Sequence, residues 1–268
     1  MRIATWNVNS ARARVDRIAA WIERSDVDVV ALQETKCKDE QFPTDRFTAL
    51  GYEVAHHGHS QWNGVAILSR VGIADVETSF AGQPHWGDPP AAEARAIGAT
   101  CGGVRVWSLY VPNGRELGHP HLTYKLDWLA RLREAGVSWL ADDPTSEVAL
   151  VGDWNVAPRD EDVWDMAVFA NSTHVSPPER AAFEAIVDAG FSDVVRPHTP
   201  GEFTYWDYTQ LRFPRKEGMR IDFVLASPAL AARVAGASID RQERKGKGAS
   251  DHVPVVVDLD GPPSLPHL

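Results

Sequence analysis

Short apolar segments of strand length recur along the chain between helical patterns and turns. The predicted strands are Ile3–Val8, Val27–Leu32, Gly64–Leu68, Val104–Val111, Val148–Gly152, Ile221–Ala226 and Val253–Leu259. Apolar residues with one-face helical spacing predict three helices: one after Ser10 with Val15, Ile18, Ala19 and Ile22, one with Leu122, Leu126, Leu129 and Leu132, and one from Pro178 to Ala189. Strands and helices that alternate in this way predict an α/β protein whose sheets are covered by helices.

Polar side chains stand at the ends of five of these apolar segments. They are Asn7, Glu34, Asp153 with Asn155, Asp222, and Asp251 with His252. One such acid could cap a helix or turn the chain. An acid embedded among apolar residues otherwise needs a cation, a donor or a proton, because burying an unpaired carboxylate costs several kcal/mol. Since catalytic groups gather on loops at sheet edges, five such positions predict one shared site.

The side chains in this set indicate the kind of metal that the site would hold. Carboxylates and amide oxygens dominate, with a single histidine and no cysteine. Such ligands suit Mg²⁺, with Mn²⁺ as a substitute, whereas a structural zinc site would use thiolates or several imidazoles. A cation combined with carboxylates and a histidine is suited to cleaving phosphate esters.

Length and composition favour one compact domain over residues 1–260, followed by a short Pro-rich tail at 261–268. The chain has 268 residues, 44% of them hydrophobic, and no linker or low-complexity segment divides it. Two cysteines exclude a disulfide framework. No apolar leader or segment of membrane-spanning length occurs, so we expect a cytoplasmic protein that does not bind membranes.

The net charge of −10 argues against nucleic-acid binding, but binding depends on the local field. Two short basic stretches precede the segments that carry Asp222 and His252. They contain Arg212, Arg215, Lys216 and Arg220 in the first, and Arg241, Arg244, Lys245 and Lys247 in the second. They are either solvated loops or part of a groove that follows the phosphates of DNA.

Six blocks of sequence resemble, in order, the signature blocks of the exonuclease III family of AP endonucleases. They are Thr5-Trp6-Asn7-Val8-Asn9-Ser10, Gln33-Glu34-Thr35-Lys36, Tyr110-Val111-Pro112-Asn113-Gly114, Gly152-Asp153-Trp154-Asn155-Val156-Ala157-Pro158, Arg220-Ile221-Asp222-Phe223 and Ser250-Asp251-His252-Val253-Pro254. The resemblance extends from residue 3 to about residue 259. It implies a four-layer α/β sandwich, in which two facing mixed β-sheets are flanked by helices.

The resemblance also implies roles for individual residues. Glu34 would be the principal Mg²⁺ ligand, assisted by Asn7 and Asp251. Asp153 would deprotonate the attacking water or hold a second cation, and Asn155 would bind the phosphate or the water. His252, oriented by Asp222, would contact the scissile phosphate. In this set Asn155 and His252 also count as candidate metal ligands.

The tyrosine loop and the basic stretches supply the remaining candidates. Tyr110 would donate its hydroxyl to the phosphate or the leaving oxygen, unless it is a core tyrosine. Predicted contacts with DNA come from Asn113, Trp206, Met219, Arg220, Lys245 and Lys247. Trp206 either forms a wall of an abasic pocket or packs in the core. Met219 stands where eukaryotic members have a tryptophan, and Asn9 replaces the aspartate of some relatives.

The function that follows is Mg²⁺-dependent incision of DNA on the 5′ side of abasic sites, with 3′→5′ exonuclease and 3′-end-cleaning activity. The expected partner is double-stranded DNA with abasic sites or blocked 3′ ends, and we predict a monomer without an obligate protein partner. One alternative is a phosphatase or phosphodiesterase of the same superfamily that acts on a phosphorylated lipid or polyol. Another is an inactive DNA-binding module, which an intact set of Glu34, Asp153, Asp222 and His252 argues against.

Overall fold

Fourteen strands and seven α-helices form within residues 1–261, the part of the chain that this computed structural model describes. The predicted tail at 261–268 lies outside the described residues from 262 onward. The strands are β1 (Arg2–Asn7), β2 (Val29–Gln33), β3 (Glu53–His57), β4 (Val65–Ser69), β5 (Ala74–Glu77), β6 (His85–Trp86), β7 (Ala91–Ala92), β8 (Ala96–Cys101), β9 (Val104–Tyr110), β10 (Val148–Asp153), β11 (Ser192–Asp193), β12 (Asp222–Ala226), β13 (Val234–Ile239) and β14 (Val255–Leu259). The helices are α1 (Val15–Ser25), α2 (Thr44–Thr48), α3 (Pro120–Asp142), α4 (Met166–Phe169), α5 (Pro177–Asp188), α6 (Arg212–Arg215) and α7 (Pro228–Ala231).

Twelve of the strands form two six-stranded mixed sheets, and β6 pairs with β7 as a separate hairpin. The first sheet has the order β13-β14-β1-β2-β4-β3, and the second has the order β11-β12-β10-β9-β8-β5. In each sheet the central pair is parallel, β1 with β2 and β9 with β10, and the other neighbours are antiparallel. The predicted mixed sheets are confirmed.

The two sheets face each other across a shared core. Along each strand the side chains alternate between this core and the layer beneath the helices. In β10, Ala149 and Val151 pack into the core between the sheets, whereas Val148 and Leu150 pack beneath α3 and α5. The first sheet behaves likewise, since Ala4 and Trp6 of β1 pack beneath α1 and Ile3 of that strand points inward. Three cores therefore separate four layers, as the predicted α/β sandwich requires.

The helices lie where their apolar faces predict, with one difference in α3. Ile18, Ala19 and Ile22 of α1 are buried, and α5 ends just before Gly190 as expected. On α3, however, Leu122 and Leu126 are only half-buried, because the buried face passes through Lys125 and Leu129 instead. No helix within the described residues combines the length and the apolar character needed to cross a membrane.

Candidate active site

The polar residues predicted at strand ends meet at one rim of the sandwich. Asn7, Tyr110 and Asp153 end the strands β1, β9 and β10. Because β12 runs antiparallel to β10, its first residue Asp222 pairs with Asp153 at the same edge. His252 reaches this edge in the same way, just before β14, which runs antiparallel to β1. The parallel pairs β1/β2 and β9/β10, with their antiparallel neighbours β14 and β12, therefore bring these polar side chains to one edge.

Three of the side chains at this rim form a cluster that could hold a metal ion. One ligand atom from each of Glu34, Asp153 and His252 lies within 4.8 Å of the others, and no other such group of histidine, cysteine or acidic residues occurs among residues 1–261. Asn7 Nδ2 donates to Glu34 Oε1 and to Asp153 Oδ2, at 2.9 Å each. Asn7 thus orients both carboxylates, and its predicted role as a ligand stays a prediction.

The charges around this cluster fit a divalent cation. Burial opposes ionisation of Glu34, but Lys36 Nζ lies 2.8 Å from Glu34 Oε2 and, with the hydrogen bond from Asn7, lowers the pKa of the carboxyl. Asp153 is fully buried, and burial, reinforced by Asp222 and Glu34, raises its pKa. Two close carboxylates, one of which resists ionisation without a partner, could hold a metal cation, which would favour the ionised form of both.

His252 is held as a cation by carboxylates on both sides of its ring. Its Nδ1 lies 2.9 Å from Asp222 Oδ2, and Nε2 lies 3.6 Å from Asp153 Oδ2. Burial by itself would lower the pKa of the imidazole, but Asp222 and Asp153 outweigh burial and raise it to about 10. Thr204 Oγ1 donates to Asp222 Oδ2 at 2.6 Å and thereby fixes the carboxylate. The ring is therefore oriented with Nε2 directed towards Asp153.

Tyr110, Asn113 and Asn155 line the same pocket as the cluster. Burial, with Glu34 beside it, raises the pKa of Tyr110 well above its usual range, so the phenol keeps its proton. The Asn155 backbone N–H donates to Asp153 Oδ1 at 3.0 Å, and its Nδ2 donates to Val111 O at 2.9 Å. The predicted role of Asn155 as a ligand of the metal or the phosphate stays a prediction. Asn113 Nδ2 lies 3.4 Å from Asn155 Oδ1.

Asp251 lines the same pocket but stands apart from the three-residue cluster. Its Oδ1 accepts a hydrogen bond from Asn9 Nδ2 at 3.2 Å. Asn9 in turn accepts from Lys36 Nζ at 2.5 Å. In this structure Asp251 is thus tied to the loop after β1, and its direct coordination of a metal stays a prediction.

The cluster opens into a pocket of about 480 Å³ with a polar side and an apolar side. Glu34, Tyr110, Asp153, Asn155 and His252 line the polar side. Tyr205, Met219, Ile221 and Phe169 line the apolar side. The centroid of the Tyr205 ring lies 4.8 Å from that of His252, so the apolar wall adjoins the histidine of the cluster.

Two of the predicted DNA contacts are wrong. Trp206 is 2% exposed and packs against Phe203 and Phe213 in the core, so its neighbour Tyr205 forms the wall predicted for it. Arg220 is also 2% exposed, because its guanidinium donates to the carbonyl oxygens of Thr199 and Glu202. Lys245 and Lys247 are exposed, as a groove requires, and their contact with DNA stays a prediction.

His174, which lines the pocket beside Asn155, was not predicted as a site residue. His174 Nε2 lies 3.0 Å from Asn155 Oδ1, and the residue adopts φ 77°, a conformation that favours glycine. It follows the short helix α4 in a segment without apolar periodicity. Only the tertiary fold brings this loop to the strand ends.

Comparisons with known proteins match the fold and the whole chain. The sequence profile of the Endonuclease/Exonuclease/phosphatase family matches residues 4–252. Exodeoxyribonuclease III of Haemophilus influenzae is 30% identical over 95% of this chain and 98% of its own. The AP endonuclease of Archaeoglobus fulgidus is 34% identical, with a TM-score of 0.90 over 97% of this chain and 100% of its own. The 3′ phosphatase NExo from Neisseria, bound to product DNA hairpin, is also 34% identical, with a TM-score of 0.91 over the same shares. The chain therefore belongs to the Endonuclease/Exonuclease/phosphatase family, within its exodeoxyribonuclease III branch.

Proposed function

We propose that this protein is a Mg²⁺-dependent phosphodiesterase of DNA repair, which incises the backbone 5′ to abasic sites and trims or cleans 3′ ends. Mn²⁺ would substitute for Mg²⁺. The observation that carries the proposal is the cluster of Glu34, Asp153 and His252 at the floor of a half-apolar pocket. Relatives named as an exodeoxyribonuclease, an AP endonuclease and a 3′ phosphatase support it.

Asp153 is the residue best placed to take a proton from the attacking water. Its Oδ1 and Oδ2 accept hydrogen bonds from the Asn155 N–H and from Asn7 Nδ2, so the carboxylate is fixed. Its raised pKa makes it a stronger base than an exposed aspartate. A divalent cation held by Glu34, with Asp153 and His252 beside it, would offset negative charge on the phosphate.

His252, Asn155 and Tyr110 surround the place where the phosphate would lie. The imidazolium uses Nδ1 for Asp222, which leaves its Nε2 proton for a phosphate oxygen. Tyr110 keeps its phenolic proton and can donate it to the phosphate or to the leaving oxygen. Donors fixed before the substrate arrives stabilise the charge that develops in the transition state.

The apolar wall suits a deoxyribose that carries no base. Tyr205, Met219 and Ile221 offer few polar groups to the edge of a base, whereas a bare sugar could pack on them. A nucleotide without a base also leaves the duplex at a lower unstacking cost, since an intact one loses a few kcal/mol. Both effects favour abasic sites over intact nucleotides.

A substrate panel tests the proposal. We expect purified protein with Mg²⁺ to nick a duplex that contains an abasic analogue, to remove a 3′-phosphate and to shorten a recessed 3′ end. Activity should be absent in EDTA, and Asp153→Asn should be inactive at every Mg²⁺ concentration. Release of phosphate from an inositol polyphosphate or a phospholipid headgroup, with every DNA substrate left intact, would establish the alternative and refute the proposal.

The panel also measures the relative rates of abasic incision, 3′-phosphate removal and exonuclease digestion. These activities differ in the group that the pocket must accept. A cytoplasmic location and a monomeric state, both expected from the sequence, remain part of this proposal. Size-exclusion chromatography with light scattering checks the monomer. Active protein that elutes only as a dimer would refute that part.

A further inference from the structure

A buried ion pair between Lys125 of α3 and Glu179 of α5 lies directly behind the pocket. Lys125 Nζ and Glu179 Oε1 are 2.5 Å apart, and both side chains are fully buried. Removing two charges from water carries a desolvation cost that apolar residues of similar volume would avoid. Stability of the helix packing therefore does not by itself account for a charged pair at this position.

The hydrogen bonds of the pair go to the loops that carry pocket residues. The three donors of the Lys125 ammonium reach Glu179 Oε1, Asn155 O at 2.5 Å and Asn113 O at 3.2 Å. Glu179 Oε1 also accepts from the His174 N–H at 2.9 Å, and Oε2 accepts from Ser176 Oγ at 2.6 Å. One ion pair thus holds three loops, at 111–114, 154–157 and 171–176.

The first of these loops packs tightly against the lysine at Gly114. Gly114 adopts φ 92°, and a Cβ added there would lie 3.3 Å from Lys125 Cδ and 3.2 Å from Leu122 Cδ1. Its N–H donates to His121 Nδ1 at 3.1 Å. The loop that carries Asn113 is therefore fixed against α3 in one position.

The three residues whose backbones are held by the pair meet again through their side chains. Asn155 Oδ1 lies 3.0 Å from His174 Nε2 and 3.4 Å from Asn113 Nδ2. By contrast, Asn7 and Glu34 belong to the other sheet, and neither is hydrogen-bonded to Lys125 or Glu179 within residues 1–261. The pair supports the half of the site that Asn155, Asn113 and His174 form, and it reaches the metal cluster only through the Asn155 N–H, which donates to Asp153 Oδ1.

We infer that Lys125 and Glu179 are positioning residues, which set Asn155, Asn113 and His174 around the phosphate as one rigid unit. This inference rests on the proposed function, since it concerns the same phosphodiester site. A shift of about 1 Å in a substrate-binding group can cost roughly 100-fold in rate. Loss of the pair should therefore lower turnover more than it lowers the affinity for the metal.

The variant Lys125→Met/Glu179→Gln tests the inference because it removes both charges and leaves no buried ion unpaired. We expect turnover at saturating Mg²⁺ and DNA to fall about 10- to 100-fold, as for other supporting residues around active sites. The Mg²⁺ concentration for half-maximal activity should change less than turnover does, because Glu34 is held by Asn7 and Lys36 of the other half of the site. Glu179→Gln alone leaves the Lys125 ammonium buried without its anion and should lower Tm more than the double variant does.

The matched control is Arg233→Met/Glu147→Gln. Arg233 and Glu147 form an ion pair next to Val148, at the end of β10 opposite to Asp153. This control should keep wild-type turnover even where its unfolding temperature falls. Equal turnover in the Lys125/Glu179 variants and the control, or equal loss in both, would overturn the inference, because either result leaves only a structural role.

A second readout does not depend on catalysis. In ¹H–¹⁵N spectra the side-chain amide signals of Asn155 and Asn113 should shift in Lys125→Met/Glu179→Gln, whereas that of Asn7 should not. Unchanged Asn155 and Asn113 signals would overturn the inference, whatever the activity. If wild type cuts no DNA but the signals of the double variant shift as predicted, the proposed function is refuted and the positioning role stands.

Discussion

Tyr205 and Trp206 are neighbours in the chain, but Tyr205 lines the pocket and Trp206 packs in the core. Alanine substitutions at the two positions test this difference. Tyr205 is half-buried, lines the pocket and packs beside His252. Trp206 is 2% exposed, and its ring contacts Phe213 at 5.2 Å between centroids. We predict that Tyr205→Ala impairs catalysis and that Trp206→Ala impairs folding stability.

The burial of Trp206 sets the size of the stability effect. Replacing a fully buried tryptophan by alanine costs about 3–5 kcal/mol. For a chain of this size that corresponds to a fall in Tm of about 6–20 °C. Because total stabilities are about 5–15 kcal/mol, the variant should still be folded at room temperature and should cut DNA there at close to the wild-type rate.

The effect of Tyr205→Ala should lie in the binding of the transition state. Losing one wall of an apolar pocket costs about 1–3 kcal/mol, which is roughly a 5- to 150-fold fall in kcat/KM. Tyr205→Phe is the matched control. It loses only the hydrogen bond from the hydroxyl to Asp207 Oδ2, 3.2 Å long, and should keep the wall and most of the activity.

Two quantities are measured for wild type and the three variants. They are kcat/KM on a duplex that contains an abasic analogue, and Tm from thermal unfolding. The expected pattern is low activity with near-normal Tm for Tyr205→Ala, and the reverse for Trp206→Ala. If Trp206→Ala abolished incision while its Tm stayed at the wild-type value, the tryptophan would act in the pocket and our assignment of the wall would be refuted.

Three further predictions concern the metal, the histidine and the basic surface. Glu34→Gln should raise the Mg²⁺ concentration needed for half-maximal activity and be partly rescued by excess metal, whereas Asp153→Asn should not; identical metal titrations would contradict this division of roles. In the metal-free protein the pKa of His252 is about 10, above its ordinary value of 6.5, so its contribution to stability is fully present below pH 6.5 and is lost as pH rises towards 10. The difference in unfolding free energy between wild type and His252→Gln in EDTA should therefore narrow over that range, and a constant difference would refute the assigned shift. Neutralising Lys245 and Lys247 should reduce the slope of log affinity against log salt by about one to two, and an unchanged slope would place the DNA elsewhere.

The central strands and the rim where the polar residues meet could be predicted from the sequence because these strands are continuous apolar segments followed by polar residues. Strand β10, which ends at Asp153, and strand β2, which Glu34 follows, are buried along their whole length. A buried strand of this kind can be recognised from its own apolar sequence, without knowing which strands it pairs with. The edge strands β5 and β13 were not predicted, since β5 is exposed along its length, β13 is only partly buried, and neither shows apolar alternation.

The surroundings of Lys125, Trp206 and Arg220 could not be predicted, because each depends on a partner far away in the chain. Lys125 occupies the buried face of a helix only because Glu179 neutralises it 54 residues later. Arg220 looked like a phosphate contact, but it donates to carbonyl oxygens that the loop at 199–202 presents. For Tyr205 and Trp206 the alternation of faces is visible, but which face meets the pocket is decided by the pairing of Tyr205 with Met219 and His252.

The charge of the site accounts for how an acidic chain can act on a polyanion. Glu34, Asp153, Asp222 and Asp251 lie around one histidine, and Lys36 is the ammonium group beside them that pairs with Glu34. Such a cluster would repel a phosphate unless a divalent cation entered with it, because like charges at these distances interact strongly in a buried site. A cation bound by these acids would thus also permit the approach of DNA, and the net charge of −10 says little about substrate choice. Metal binding and DNA binding should therefore be linked at this site, each strengthening the other.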